Sequence, residues 1–279
     1  MGNSEFKICL ENLIKIFGNK PHTALKLFRD GKNRDDILEL TNQVVSIADL
    51  SLEIKQGELF VIMGLSGSGK STLVRCINRL IKPTSGHIYI DGEDIAHVSE
   101  SRMREIRLSK ISMVFQQFGL FPHKNVTENV EYGLKMQGIP KVKRRQKSLD
   151  TLARVGLEQW AERSPNDLSG GMKQRVGLAR ALATDAEILL MDEPFSALDP
   201  LIRREMQQEL LRLQTEFQKT IIFISHDVHE AFKIGDRIAV MKDGKIVQVG
   251  TPKNIINQPK NDYIRAFLQD IYDAKNILQ

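Results

Sequence analysis

Between Gly64 and Thr72 the chain reads Gly64-Leu65-Ser66-Gly67-Ser68-Gly69-Lys70-Ser71-Thr72, a glycine-rich run closed by a lysine and two hydroxyls. The spacing G-x-x-x-x-G-K-[ST] suits a triphosphate. Glycines let the backbone turn tightly enough to aim successive N–H groups at phosphate oxygens, and a helix starting at Lys70 adds its positive end. Lys70 supplies formal charge, and the Ser71 hydroxyl is suited to Mg²⁺ held between β- and γ-phosphates. A plain turn is the alternative. The apolar run before the loop and the helical pattern after it are the context that favours phosphate binding.

Other strand ends carry polar residues of the right kind. Ile188-Leu189-Leu190-Met191-Asp192-Glu193 is an apolar strand that closes in two carboxylates. Ligands of helix-covered sheets lie beyond the carboxyl ends of the strands, which places Asp192 for a magnesium shell and Glu193 for a water. A solvated acidic turn would read the same in isolation. Gln116 follows a strand ending at Phe115, and its amide suits both Mg²⁺ and water, although loop amides are common. His226 follows Ile221 to Ser225, where a lone histidine is more often structural than catalytic. Leu168-Ser169-Gly170-Gly171-Met172, before Lys173-Gln174-Arg175, is a second anion-binding helix start. One nucleotide does not need two such cradles on a single chain, so the second implies a second subunit.

The elements that must position these residues are visible as periodicities. Lys7 to Leu10 reads as a short strand, and residues 19–47 as a small helical insertion broken at Gly31. Ile47 to Ile54 alternates, Gln56-Gly57 turns, and Glu58 to Met63 is a continuous apolar strand before a helix from Lys70 to Leu80. His87 to Ile90 and Ile111 to Phe115 read as strands. Val126 to Trp160 is helical and polar, which marks an inserted helical subdomain. Strands return at Ile188 to Met191, Ile221 to Ile224 and Ile238 to Met241. Strands alternating with helices predict a mostly parallel, helix-covered α/β sheet.

Composition excludes several classes. With 279 residues, 41% hydrophobic and 27% charged, the chain is long enough for one large domain or two small ones and is not dominated by disorder. Cys9 and Cys76 have no paired spacing, which leaves neither a disulfide framework nor a zinc motif and predicts a reducing compartment. No apolar run approaches a membrane span, and Met1 to Phe17 has neither a signal-peptide layout nor a myristoylation pattern. The net charge of +5 gathers in Arg102 to Lys110 and Lys141 to Lys147. These runs read as solvated helix faces; nucleic acid or an anionic membrane is the sharper alternative, and no nucleic-acid module accompanies them.

Taken in order, the motifs resemble the ATP-binding cassette subunits of ABC transporters over nearly the whole chain: phosphate loop at 64–72, Gln116, signature at 168–172, acidic strand at 188–193, Ser196-Ala197-Leu198-Asp199 and His226. The resemblance implies a P-loop NTPase fold of the ABC type, with a mostly parallel sheet, an antiparallel β part and an inserted helical subdomain. It divides the chain into an N-terminal strand and adenine loop (1–18), the helical insertion (19–47) and the ATPase core (48–279, helical subdomain approximately 117–180). It assigns Glu193 as general base, His226 as the γ-phosphate contact, Lys70 as the catalytic lysine, and Ser71, Gln116 and Asp192 to Mg²⁺. Ser169, Gly170 and Gly171 complete the partner's ATP site in an ATP-dependent homodimer. Met172 stands where Gln is commonest. The adenine-stacking aromatic normally lies where this chain has Thr41, and Phe17 in Lys15-Ile16-Phe17-Gly18 looks like its displaced equivalent, a core phenylalanine being the alternative.

The insertion, with Pro21-His22 and Ala24-Leu25-Lys26-Leu27, resembles the glycine betaine/proline uptake subgroup, as do Pro200-Leu201-Ile202-Arg203 and Gly250-Thr251-Pro252. Many members of that subgroup continue into tandem CBS domains, whereas this chain stops at Gln279. The expected function is an importer ATPase, peripheral on the cytoplasmic face of the inner membrane, with a separate integral permease, an external substrate-binding protein and no nucleic acid. The rival is a soluble ABC ATPase acting on nucleic acid or ribosomes. Such proteins usually carry two cassettes or a long coiled coil, and no sustained heptads occur here. A kinase or GTPase fits less well, since the signature is present and an N-K-x-D motif is absent.

Overall fold

A computed structural model describes residues 5–116 and 118–269. Expectations for residues 1–4 and for the end of the chain at Gln279 lie outside the described residues. In chain order the elements are β1 (Phe6–Phe17), α1 (Pro21–Arg29), α2 (Arg34–Thr41), β2 (Val44–Lys55), β3 (Leu59–Gly64), α3 (Lys70–Ile77), β4 (Ser85–Ile90), β5 (Glu93–Asp94), α4 (Glu100–Ser109), β6 (Ile111–Val114), α5 (Val126–Met136), α6 (Lys141–Arg154), α7 (Gly170–Leu182), β7 (Ile188–Asp192), α8 (Pro200–Phe217), β8 (Thr220–Ser225), α9 (Val228–Ile234), β9 (Arg237–Lys242), β10 (Lys245–Gly250), α10 (Pro252–Asn257) and α11 (Asp262–Phe267). No described helix is long and apolar enough to cross a membrane.

The chain forms two compact units, one from segments 1–99 and 225–279, the other from 100–224. In the first, β1 lies between β2 and β4 in an antiparallel sheet, and β4 also pairs with β5. In the same unit β9 runs parallel to β3 and antiparallel to β10. All six residues of β3 are buried, which is why it reads as a continuous apolar run rather than an alternation. In the second unit β7 is flanked by β6 and β8, both parallel to it, and its five residues are equally buried.

Several elements differ in their bounds from the sequence reading: β2 begins at Val44, within the residues 19–47 read as the helical insertion, and β1 and α3 show the physical causes. β1 extends to Phe17 instead of ending at Leu10, because the polar pair Glu11-Asn12 is absorbed by an irregularity: Asn12 adopts a φ of +49° and the pairing register shifts between Leu10 and Leu13. α3 ends at Ile77 and not Leu80, since Asn78 caps it and Arg79 turns left-handed at φ +52°.

The insertion folds as two short helices with their own share of core. Asn33 caps α2 by accepting from Asp36 N–H, Asp35 and Asp36 complement its positive end, and Asn42 closes it in the left-handed conformation. Ala24, Leu25 and Ile37 pack into one cluster with Ile14 and Ile16 of β1 and Val45 and Ala48 of β2. Ile37 is fully buried, whereas Leu40 on the same helix is 63% exposed. Ile37→Ala is expected to cost about 2–4 kcal/mol and Leu40→Ala under about 0.5 kcal/mol. Urea unfolding checks both; equal effects would mean that the insertion does not dock through Ile37.

Candidate functional site

The phosphate loop begins where β3 runs out of room. Gly64 has φ +152°, and a Cβ there would stand 2.3 Å from the Met241 carbonyl oxygen and 2.9 Å from Ser68 Oγ. Gly69, at φ +102°, is equally tight: its Cβ would meet the Ser46 carbonyl at 2.6 Å. Only glycine allows this backbone path. Lys70 opens α3 with its side chain 6% exposed, and its Nζ donates to the carbonyls of Gly64 at 2.8 Å and Leu65 at 3.1 Å. The ammonium is thus folded back over the loop it serves. Ser68 is buried, with no hydrogen-bond partner for its Oγ among the described residues. An orphaned hydroxyl and a held cation inside a glycine loop fit a polyanion.

Sequence reasoning missed what surrounds this loop. Ser46 Oγ donates to Thr72 Oγ1 at 3.0 Å, and Gly244 N–H, in the turn joining β9 to β10, donates to the Ser68 carbonyl at 3.0 Å. The Lys242-Asp243-Gly244-Lys245 run is a visible turn signal, but nothing in it announces a partner 176 residues upstream. Behind the loop, burial pushes the Cys76 thiol up to about 12, so this cysteine is protonated and inert. Phe17 ends β1 at 39% exposure with Lys15 Nζ 4.9 Å from its ring centre, and is therefore not a core phenylalanine. His226 follows β8 and is exposed, ahead of Asp227, whose carboxylate accepts from Glu230 N–H to start α9.

In the second unit the acidic strand ends at Asp192, 4% exposed, and Glu193, half-buried. Glu193 has a φ of +46°, a conformation that L residues with side chains seldom adopt. Its carbonyl is gripped by Ser196, which donates to it through N–H at 3.3 Å and Oγ at 2.9 Å. The turn that aims Glu193 is therefore fixed by the segment that follows it. Gln116, beyond β6, is exposed.

Ser169 caps α7, its Oγ accepting from Met172 N–H at 3.3 Å, and Ser169 and Gly170 are exposed at the positive end of this thirteen-residue helix. Gly171 is buried: a Cβ on it would come within 2.5 Å of Ile202 Cγ2. Asp199 Oδ1 caps α8 by accepting from Leu201 and Ile202 N–H, both at 3.1 Å. Signature and Ser196–Asp199 segment are thus packed together through Gly171 and Ile202. Arg180, farther along α7, donates to the carbonyls of Gly119 at 2.6 Å and Phe118 at 3.2 Å, and burial pulls its guanidinium below its usual range.

A parallel strand running into a glycine-only loop, closed by a buried lysine at the start of a helix, defines a P-loop nucleotide-binding protein of the α/β class. Residues 47–196 match the family described as ABC transporter. The chain is 55% identical over 276 residues to the glycine betaine/proline betaine transport system ATP-binding protein ProV of Escherichia coli, covering 97% of this chain and 69% of that protein. It is 56% identical to the glycine betaine transport ATP-binding protein OpuAA of Bacillus subtilis, covering 98% and 65%. Among solved structures it is similar to the dimeric bacterial ABC transporter cassette MJ0796, with a TM-score of 0.73, 35% identity and coverage of 88% and 98%. The same cassette has been solved in a post-hydrolysis state bound to ADP and Pi, with the same TM-score, identity and coverage. The chain belongs to the ABC transporter family and is an ABC-type ATPase with the fold expected from its motifs.

Gly64→Ala is expected to cost about 3 kcal/mol or more, since its Cβ meets backbone. Gly67→Ala, whose Cβ would meet nothing within 4 Å, should cost only the left-handed backbone term of about 1–2 kcal/mol. Unfolding of both variants without nucleotide compares them; a Gly64→Ala protein as stable as Gly67→Ala would refute the close approach to Met241.

Proposed function

We propose that this chain is the ATP-hydrolysing subunit of an importer for a glycine betaine-like quaternary amine, acting on the cytoplasmic face of the inner membrane beside a separate permease and an external substrate-binding protein. The observation that carries this reading is the 55% identity to a betaine-transport ATPase over 97% of the chain, together with an unbroken set of hydrolysis motifs. Nucleic acid and ribosomes are not favoured as partners.

In this reading the phosphate loop, Gly64 to Thr72, cradles the triphosphate, with Lys70 as its countercharge. Glu193 accepts the proton of the attacking water, and the Ser196 bonds to its carbonyl keep the carboxylate aimed. His226 contacts the γ-phosphate. Phe17, exposed and at a strand end, stacks on adenine. Ser71, Gln116 and Asp192 offer oxygen ligands of the kind a hard cation prefers, so Mg²⁺ belongs with them. Bound there, Mg²⁺ would neutralise charge on the β- and γ-phosphate oxygens. Ser169, Gly170 and Gly171 serve the partner's ATP, so two copies close around two nucleotides and reopen after hydrolysis. The segment from Phe118 to Tyr132, in which Phe118, Leu120 and Phe121 are more apolar than a free loop needs, lies near the permease docking surface. Its Asn129 is fully buried, and the Asn129 amide donates to the carbonyls of Phe121, Lys124 and Asn125, which gives the segment a fixed shape.

Glu193→Gln should keep ATP binding and lose about 10²–10⁴-fold in turnover. It should be monomeric without nucleotide, dimeric with MgATP and monomeric with ADP. Gly170→Asp in the same background should bind ATP yet stay monomeric, because it sets a carboxylate against the partner's phosphate. Gly170 is the cleaner position than Gly171, since its Cβ would meet Leu198 only at 3.6 Å. Light scattering decides: dimers of Gly170→Asp, or monomers of Glu193→Gln at saturating MgATP, would overturn the shared site.

Phe17→Ala should weaken ATP affinity by an amount matching about 1–3 kcal/mol of stacking while leaving the ligand-free melting temperature nearly unchanged. Nucleotide titration and thermal melting measure the two; a large stability loss with unaltered affinity would return Phe17 to a structural role.

A further inference from the structure

The antiparallel sheet carries a group of metal-ligating side chains that belong to none of the nucleotide motifs. His87 on β4, Asp94 on β5 and His97 just after it each present one ligand atom, and these atoms all lie within 4.8 Å of one another. His87 Nδ1 and Asp94 Oδ2 are 2.8 Å apart, and the His87 and His97 rings meet edge to face at 5.5 Å between centres.

The carboxylate is already oriented. Asp94 Oδ1 accepts from Ala96 N–H at 3.0 Å and Ile88 N–H at 3.3 Å, which turns Oδ2 toward His87. Strand pairing extends the arrangement: Glu11 of β1 lies directly across from His87 and brings a further carboxylate to that strand pair. Both histidines are exposed, and Ile95 and Ala96, between Asp94 and His97, are fully buried, so the loop carrying His97 is anchored while the imidazole stays accessible.

We propose that His87, Asp94 and His97 form a surface site for a divalent transition metal of the zinc class. Two imidazoles and one carboxylate are the donor set that such ions prefer, and a fourth position is left to solvent. A zinc ion at about 2.0–2.2 Å from each donor holds its ligands no more than twice that distance apart, so a small rotation of an exposed imidazole closes the set. Asp94's backbone donors act as the outer shell that keeps a ligating carboxylate in place. Mg²⁺ does not compete, because it prefers oxygen ligands and keeps its waters. The site is separate from the magnesium ligands proposed for ATP and does not depend on that assignment.

The test is zinc binding to the tag-free full chain in millimolar Mg²⁺, followed by competition with a chromophoric chelator, with Co²⁺ as a spectroscopic substitute. One ion per chain is expected, with tetrahedral-type Co²⁺ absorption. His97→Gln and Asp94→Asn should each weaken binding by at least ~10-fold, while Cys9→Ser, which removes the half-buried thiol near Glu11, should leave it unchanged. Thermal melting without metal shows that each variant is folded. His97 is exposed, so its variant should melt like the parent and rise less with Zn²⁺. No stoichiometric zinc binding, or binding lost in Cys9→Ser and kept in His97→Gln, would overturn the site.

Discussion

Where β3 passes the Met241 carbonyl at Gly64, there is no space for a single additional carbon. That contact and the parallel pairing of β3 with β9 are the same constraint, because Gly64 and Met241 are register partners. The strand cannot slide by one residue without driving a side chain into a backbone carbonyl. Fixing the strand end fixes the loop that leaves it, and so fixes the two carbonyls that hold Lys70. Buried β-sheet and phosphate chemistry are therefore specified together in the first unit, and a residue chosen for the loop also sets the sheet register.

The second unit uses a different device. Its acidic strand ends in a residue held in an unfavourable backbone conformation, and the strain at Glu193 is sustained by two hydrogen bonds from Ser196. The same segment continues through Asp199 into α8, whose Ile202 fills the space left by the missing side chain of Gly171. Three motifs that are separate in sequence are thus one packed structure. The second glycine of the signature is the seat of a neighbouring helix.

Much of this was legible in the sequence where a residue type has few other reasons to occur. The glycines at 64 and 69, the lysine between strand and helix, and the apolar runs of β3 and β7 could be read directly, because steric demand and burial leave few alternatives. Glu11 and Asn12 misled: two polar residues look like the end of a strand, and only a local register shift lets β1 carry them. Arg79 looked like the continuation of a helix, since arginine is a good helix former and its left-handed turn has no residue signature. Ser46 and Gly244 were silent for another reason. Apart from the Ser46 hydroxyl, their roles come from backbone groups, and a carbonyl has no letter in a sequence. His87 and His97 were similarly silent, because ten residues and a strand turn separate what the sheet brings together.

Ser46 has a mechanical consequence. Its carbonyl sits 2.6 Å from where a Cβ would stand on Gly69 and equally 2.6 Å from one on Gly244. Three stretches of main chain, the start of β2, the end of the phosphate loop and the β9–β10 turn, converge on the Ser46 carbonyl. Side chains absorb small displacements by changing rotamer, and bare backbones in contact have no such slack. The second helix of the insertion, α2, ends at Thr41, five residues before Ser46. The short link from α2 to Ser46 therefore ties the two helices of the insertion to the backbone that crowds the phosphate loop.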